Sequence, residues 1–73
     1  MNTSLKFGDV VALLDDVPEK ALVTGQVGTV VELLDGVSFL IEFNDNHGRA
    51  YAIAPFLPSQ LLVLKTHKQE FIA

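Results

Sequence analysis

The 73-residue sequence contains no cysteine. This absence excludes disulfide bonds, thiolate metal sites and cysteine nucleophiles together. The first seven residues lack the apolar segment that is typical of a secretory signal. No apolar run reaches the roughly 18–20 residues that a transmembrane helix needs. We therefore expect a soluble, cytoplasmic protein that does not associate with a membrane.

Basic residues are also few, and they are scattered along the chain. Five Lys and Arg stand against nine Asp and Glu, which gives a net charge of −4. Nucleic-acid binding depends on clustered cations that neutralise phosphates. No nucleic-acid partner is therefore expected, and a basic or neutral protein surface suits this charge better.

Apolar residues, by contrast, are abundant for so short a chain and make up 49% of it. A single domain of this size has a high surface-to-volume ratio, so it cannot bury all of them inside itself. Some apolar surface should therefore remain outside. We expect association with another protein or with a second copy of the chain, as a homo-oligomer.

The apolar residues fall into short runs separated by turn signals, and we find no amphipathic helix. This spacing is typical of a small all-β barrel, here with five strands in one domain over residues 1–73. The core is expected to span about 6–64, with 65–73 as a C-terminal tail that carries Phe71 and Ile72. The predicted elements are a strand at Asp9–Leu14, a polar loop at Asp15–Lys20, a hairpin within Val27–Phe43, a turn at Asn44–Gly48, a strand at Arg49–Ala54, one helical turn at Pro58–Leu61 and a strand at Leu62–Leu64.

The strongest turn signal is Asp35-Gly36, in the middle of the hairpin. A two-residue turn there would mix carboxylates into the face that carries the aromatic residues. A three-residue loop over residues 34–36, with Gly36 left-handed, gives one almost wholly apolar face. It predicts that Leu33 pairs with Val37, Val31 with Phe39, Thr29 with Ile41, and Val27 with Phe43.

The same register places an apolar pair on the outer face of the hairpin. Val30 and Leu40 would lie side by side where the strands should face water. Two exposed apolar residues are common on any protein and need no explanation. The alternative is that they begin a protein-binding or dimer surface, to which the tail adds.

Several blocks of the sequence resemble a known family. They are Asp9–Pro18, Gly25–Glu32, Phe39–Phe43, Gly48–Ala52 and Leu57–Leu62. In this order and spacing they resemble the bacterial domain-of-unknown-function family numbered 4926, over roughly residues 6–64. The resemblance implies an SH3-like barrel with a short 3₁₀ turn before the last strand, at Pro58–Leu61, and it implies no activity. Leu40 departs from the polar or acidic residue expected at that position, which favours an association surface particular to this chain.

Two groups of polar residues suggest metal chemistry at first sight. Asp15, Asp16 and Glu19 offer oxygen ligands, but their spacing matches no calcium loop. A solvated acidic loop that attracts a basic partner explains them better. The second group, Asp45–His47, is explained by a turn that ends in Gly48, and His67 has no predictable relation to it. We predict no metal site.

No catalytic or cofactor site is predicted either. The serines lack a nucleophile elbow or a triad. The glycines do not form a phosphate loop, because neither a helix nor a lysine follows them. Tyr51 and Phe56 are the aromatic residues best placed for a peptide groove between loops. In the simpler alternative Tyr51 is half-buried and Phe56 closes one end of the barrel.

The sequence thus favours a non-enzymatic protein-interaction or accessory module, with an antitoxin or immunity partner as one possible kind. The residues proposed for protein binding are Asp15, Asp16, Val30, Leu40, Tyr51 and Phe56. One alternative is a nucleic-acid-binding barrel of the KOW or Tudor-like kind, suggested by residues 26–30 and opposed by the acidic charge. Another is a subunit or activator of a larger enzyme.

Overall fold

Five short strands form one antiparallel sheet in the order β4-β3-β2-β1-β5. The structure, a computed structural model, describes residues 5–45 and 47–65. The strands are β1 (Val10–Leu13), β2 (Val27–Leu33), β3 (Phe39–Asn44), β4 (Ala50–Phe56) and β5 (Leu61–Lys65), with 3₁₀ turns η1 (Pro18–Lys20) and η2 (Pro58–Gln60). The predictions of an all-β fold, of five strands and of a 3₁₀ turn before the last strand are confirmed. No helix in these two ranges has the length and apolar character needed to cross a membrane.

One apolar cluster forms the core, and all five strands contribute to it. Its members are Leu5, Val11, Leu13, Leu22, Val30, Phe39, Ile41, Phe43, Ala54, Phe56 and Leu61. The rings of Phe43 and Phe56 meet edge to face, with centroids 6.0 Å apart, a geometry that aromatic pairs favour. Both edge strands supply side chains to this cluster, Ala54 and Phe56 from β4 and Leu61 from β5.

The hairpin between β2 and β3 has a different register from the one predicted. Leu33 pairs with Phe39 and Glu32 with Leu40, whereas beyond Val31 the pairs are Val30 with Ile41 and Gly28 with Phe43. Val31 is thus an extra residue, a β-bulge, and the ladder shifts by one residue there. Both predicted registers assumed a regular ladder, so neither describes the whole hairpin.

The turn of this hairpin holds a three-residue loop, displaced by one residue from the predicted one. The amide of Leu34 donates to the carbonyl of Ser38 at 2.7 Å, which leaves residues 35–37 as the loop. Asp35 Oδ1 accepts hydrogen bonds from the amides of Val37 and Ser38. Gly36 is left-handed, with φ of 81°, as predicted.

The segment before β1 contains a buried carboxylate and is bonded through its backbone to β2 next to the bulge. Asp9 is fully buried, and its Oδ2 accepts a hydrogen bond from the amide of Lys6 at 2.9 Å. The amide of Gly8 donates to the carbonyl of Val30, and the amide of Val30 donates to the carbonyl of Asp9. These two backbone bonds join Val30 to the segment before β1, and the side chain of Val30 lies in the core.

Strand β4 forms one edge of the sheet and contains Pro55. A proline lacks the N–H that a central strand would donate, so within sheets it is confined mainly to edges. We predicted the strand to end at Ala54, before the proline. At an edge no such break is required, and the strand continues to Phe56.

Candidate functional site

The structure separates the apolar pair that the sequence suggested as a binding surface. Val30 is only 1% exposed and belongs to the core, so the prediction that it faces outward is wrong. The physical reason is the bulge at Val31, which turns the side chains of β2 by one position. Leu40 pairs instead with Glu32 and Pro55, and it is half-buried on the outer face.

The two aromatic candidates also lie apart. Phe56 is 5% exposed and packs in the core against Phe43, so its placement in an open groove is wrong. Tyr51 is exposed, near the opposite end of β4. The burial of Phe56 agrees with the alternative in which it closes one end of the barrel, whereas Tyr51, at 45% exposed, is more exposed than that alternative predicts.

A groove is nevertheless present, and Phe56 is not among the residues that line it. It has a volume of about 630 Å³. The residues that line it come from the hairpin loop, the start of β3 and the region of η2. They are Gly36, Val37, Phe39, Leu57, Pro58 and Ser59. Phe39 is buried, whereas Val37 and Leu57 are 58% and 46% exposed, so two projecting apolar side chains accompany a buried ring.

One side of the groove is held in place by Gln60. The side-chain oxygen of Gln60 accepts a hydrogen bond from the backbone amide of Leu57 at 2.8 Å. The backbone amide of Gln60 donates in turn to the carbonyl of Leu57. The carbonyl of Gln60 accepts from the amide of Leu14. Pro58 adds a fixed φ at the first position of the turn. The 3₁₀ turn on this side of the groove is therefore held by its own hydrogen bonds and needs no ligand to order it.

Acidic residues lie on the loops around the groove. Asp35 stands next to Gly36 in the hairpin loop. On the other side of η2, Leu14 contacts Gln60 through the backbone, and Asp15 and Asp16 follow it along the chain. The loops on both sides thus carry negative charge, and the lining residues themselves are uncharged.

Asp16 has a structural role in addition to its charge. Its Oδ1 accepts hydrogen bonds from the amide of Thr24 at 2.8 Å and from the Thr24 hydroxyl at 2.9 Å. Both bonds lower the pKa of the Asp16 carboxyl below its ordinary value of 3.8, and the bond from the backbone amide of Thr24 has the larger effect. They tie together the two ends of the loop between β1 and β2, which also carries the isolated bridge between Val17 and Leu22.

Asp45 organises a turn, as the simpler interpretation of that segment holds. Its Oδ1 accepts from the amides of His47 and Arg49, and its Oδ2 lies 3.5 Å from Nε of Arg49. Within residues 5–45 and 47–65, no three His, Asp or Glu side chains lie close enough to hold a metal ion. Asn46, His67, Phe71 and Ile72 fall outside the described residues.

Comparison with known proteins gives a family. The model of a domain of unknown function, DUF4926, matches residues 8–63, which is most of the chain. The chain belongs to the DUF4926 family. No curated protein and no solved structure matches it. The DUF4926 region contains every strand residue from Val10 to Val63 and all six residues of the groove.

Sequence reasoning missed the groove of this DUF4926 domain. The sequence predicts Val37 as a strand residue paired with Leu33, and it places Leu57 in the connection before the predicted turn at Pro58–Leu61. A signal was available, because Leu57-Pro58 joins an apolar residue to a proline at the start of a turn. The sequence alone does not show that this turn lies beside the hairpin loop, because the two are about twenty residues apart in the chain.

Proposed function

We propose that this DUF4926 domain is a non-enzymatic protein-interaction module. Its groove would bind a short, extended segment of a partner protein that carries apolar side chains and at least one Lys or Arg. The observation that carries the proposal is the groove between the hairpin loop and η2, where exposed Val37 and Leu57 accompany buried Phe39.

The shape and lining of the groove support binding. Ligand sites are concave and mostly apolar, with a few polar groups that fix orientation. Here the lining offers two projecting apolar side chains, a buried ring and the hydroxyl of Ser59. An extended segment that inserts apolar side chains would remove Val37 and Leu57 from water, which is favourable by roughly 25 cal/mol per Å² of apolar surface.

The lining also supports binding in preference to catalysis. None of its six residues has a titratable side chain. General acid–base and nucleophilic catalysis require such a group within hydrogen-bonding reach of the substrate. The chemistry available in this groove is therefore recognition by shape and apolar contact.

The surrounding charge supports a basic residue in the partner. Asp35 lies on one side of the groove, and Asp15 and Asp16 lie in the loop beyond Gln60. Complementary charge accelerates encounter and disfavours acidic partners more than it adds affinity. It also agrees with the net charge of −4. We therefore propose Asp15 and Asp16, together with Val37, Phe39 and Leu57 of the groove, as the recognition residues. Val30 and Phe56 are buried in the core and are no longer proposed.

A displayed library of random short peptides tests the proposal directly. The folded protein should enrich peptides that combine apolar residues with Lys or Arg. In NMR titrations with an enriched peptide, amide shifts should concentrate at residues 35–39 and 57–60. Val37→Asp should weaken binding about tenfold or more, since it places a charge in the apolar groove. Asp35→Asn should weaken binding mainly at low salt.

Ile53→Asp is the matched control. Ile53 is 54% exposed, nearly as much as Val37, but it lies on the outer face of β4. This variant should keep the affinity of the natural sequence. Equal binding by Val37→Asp, or enrichment of acidic peptides, would overturn the proposal.

A further inference from the structure

Strand β5 carries a second apolar surface, away from the groove. Leu62, Val63 and Leu64 are consecutive and are 51%, 39% and 51% exposed. Within the described residues β5 pairs with β1 alone, so its other side is an edge of the sheet. Edges that are apolar and uncharged readily accept another strand, and proteins usually block them.

We propose that this edge pairs with the same edge of a second copy of the chain. The two β5 strands would run antiparallel about a two-fold axis at Val63. The two sheets would then join into one continuous sheet. Such a contact is isologous, so each residue meets its counterpart reciprocally.

The sequence of β5 fits this symmetry. Leu62-Val63-Leu64 reads the same in both directions. With Val63 at the axis, Val63 faces the same residue of the second copy, and Leu62 faces the second copy's Leu64. The pairing therefore joins leucine to leucine on both sides of the axis. Apolar cross-strand pairs of this kind stabilise antiparallel sheets.

The pairing of β5 with β1 is irregular at one position, Leu64. Leu62 pairs with Ala12, on the outer face of the sheet. A register shift makes Leu64 an extra residue, because Val11 pairs with Val63 and Val10 pairs with Lys65. Leu64 is 51% exposed. In the pair of copies, four leucines would meet around the axis.

Charge favours a second copy at this edge over other surfaces. The protein is acidic, so two copies repel where carboxylates face each other. Residues 61–64 carry no charge, and neither do the four residues of β1, Val10–Leu13. The carboxylates of Glu32 and Glu42 lie on β2 and β3, farther along the sheet.

The experiment is sedimentation equilibrium of the full chain, with variants that test the register. The natural sequence should be dimeric, or monomer and dimer in exchange, at up to about 1 mM, where even weak dimers form. The double variant Leu62→Lys with Leu64→Lys places like charges opposite each other, so the dissociation constant should rise about tenfold or more. Leu62→Lys with Leu64→Glu places opposite charges across the axis and should dimerise more tightly than the double-lysine variant.

Comparing the two double variants distinguishes a loss of dimerisation from a loss of folding. Both change the same exposed positions, and circular dichroism should show folded protein for both. Ile53→Lys, on the other edge strand, should leave the dimer unchanged. A monomeric natural sequence, equal dissociation constants for the two double variants, or a dimer abolished by Ile53→Lys would each overturn the proposal.

Discussion

Gly28 of β2 lies against the ring of Phe43, its partner across the β2–β3 ladder. A Cβ added at Gly28 would stand 2.7 Å from Cγ2 of Ile41 and 2.9 Å from Cδ2 of Phe43. Both neighbours are fully buried in the core. The absence of a side chain at Gly28 therefore lets the fully buried ring of Phe43 pack directly on the backbone of β2.

We predict that Gly28→Ala lowers the free energy of unfolding by about 1–3 kcal/mol, as overpacking of a dense core does. Urea denaturation followed by circular dichroism measures this change. Thr29→Val is the control, because it preserves the shape of a side chain on the opposite face, and it should change stability by less than about 0.5 kcal/mol. Equal stability of Gly28→Ala and the natural sequence would show that the ring of Phe43 moves aside freely.

The buried carboxylate of Asp9 should contribute to stability through the backbone that it satisfies. Asp9→Ala removes the side-chain acceptor for the amide of Lys6 at a fully buried position. We expect a loss of about 1–3 kcal/mol in the free energy of unfolding. Asp9→Asn keeps one acceptor oxygen and should lose less. Asp15→Asn, an exposed carboxyl in the next loop, should change stability little, and a larger effect there than at Asp9 would contradict this account.

The link between Asp16 and Thr24 predicts a pH dependence of known sign. The pKa of Asp16 is lower in the folded protein than its ordinary value of 3.8. The stabilisation is therefore present above pH 3.8 and is lost as the pH falls through the folded pKa. Thr24→Val removes the hydroxyl bond but keeps the backbone bond, so it should raise the pKa of Asp16 only part of the way. An NMR titration of the carboxyl carbons checks this, and an unchanged midpoint in the variant would exclude a role for the hydroxyl.

The strand pattern was predictable because it depends on local signals. Apolar runs bounded by residues such as Gly48 and Pro58 place the strands within a few positions of where they lie. The same signals predicted the left-handed Gly36 and the 3₁₀ turn before β5. Family membership, too, was visible in the order and spacing of the blocks.

The register of the hairpin was not predictable in the same way. A bulge is selected by contacts outside the hairpin, here by the bonds of Gly8 and Asp9 to Val30. Nothing in residues 27–43 alone distinguishes Val31 as the extra residue. One unseen residue reverses the face of every side chain beyond it, so Val30 was assigned to the wrong side.

The groove depends on an even longer separation along the chain. Val37 and Leu57 each resemble an ordinary exposed apolar residue, of which any surface has several. Only the folded sheet brings the hairpin loop to η2. For the same reason, the sequence does not show that Phe56 is buried in the core while the next residue, Leu57, lines the groove.

Pro55 has a consequence for how far assembly of this protein can proceed. If the β5 edges join, each copy has used its pairable edge, and the two β4 edges face outward with a proline in each. A proline donates no hydrogen bond, so these outer edges are poor templates for a further strand. Association should therefore stop at two copies, and raising the concentration should not produce fibres.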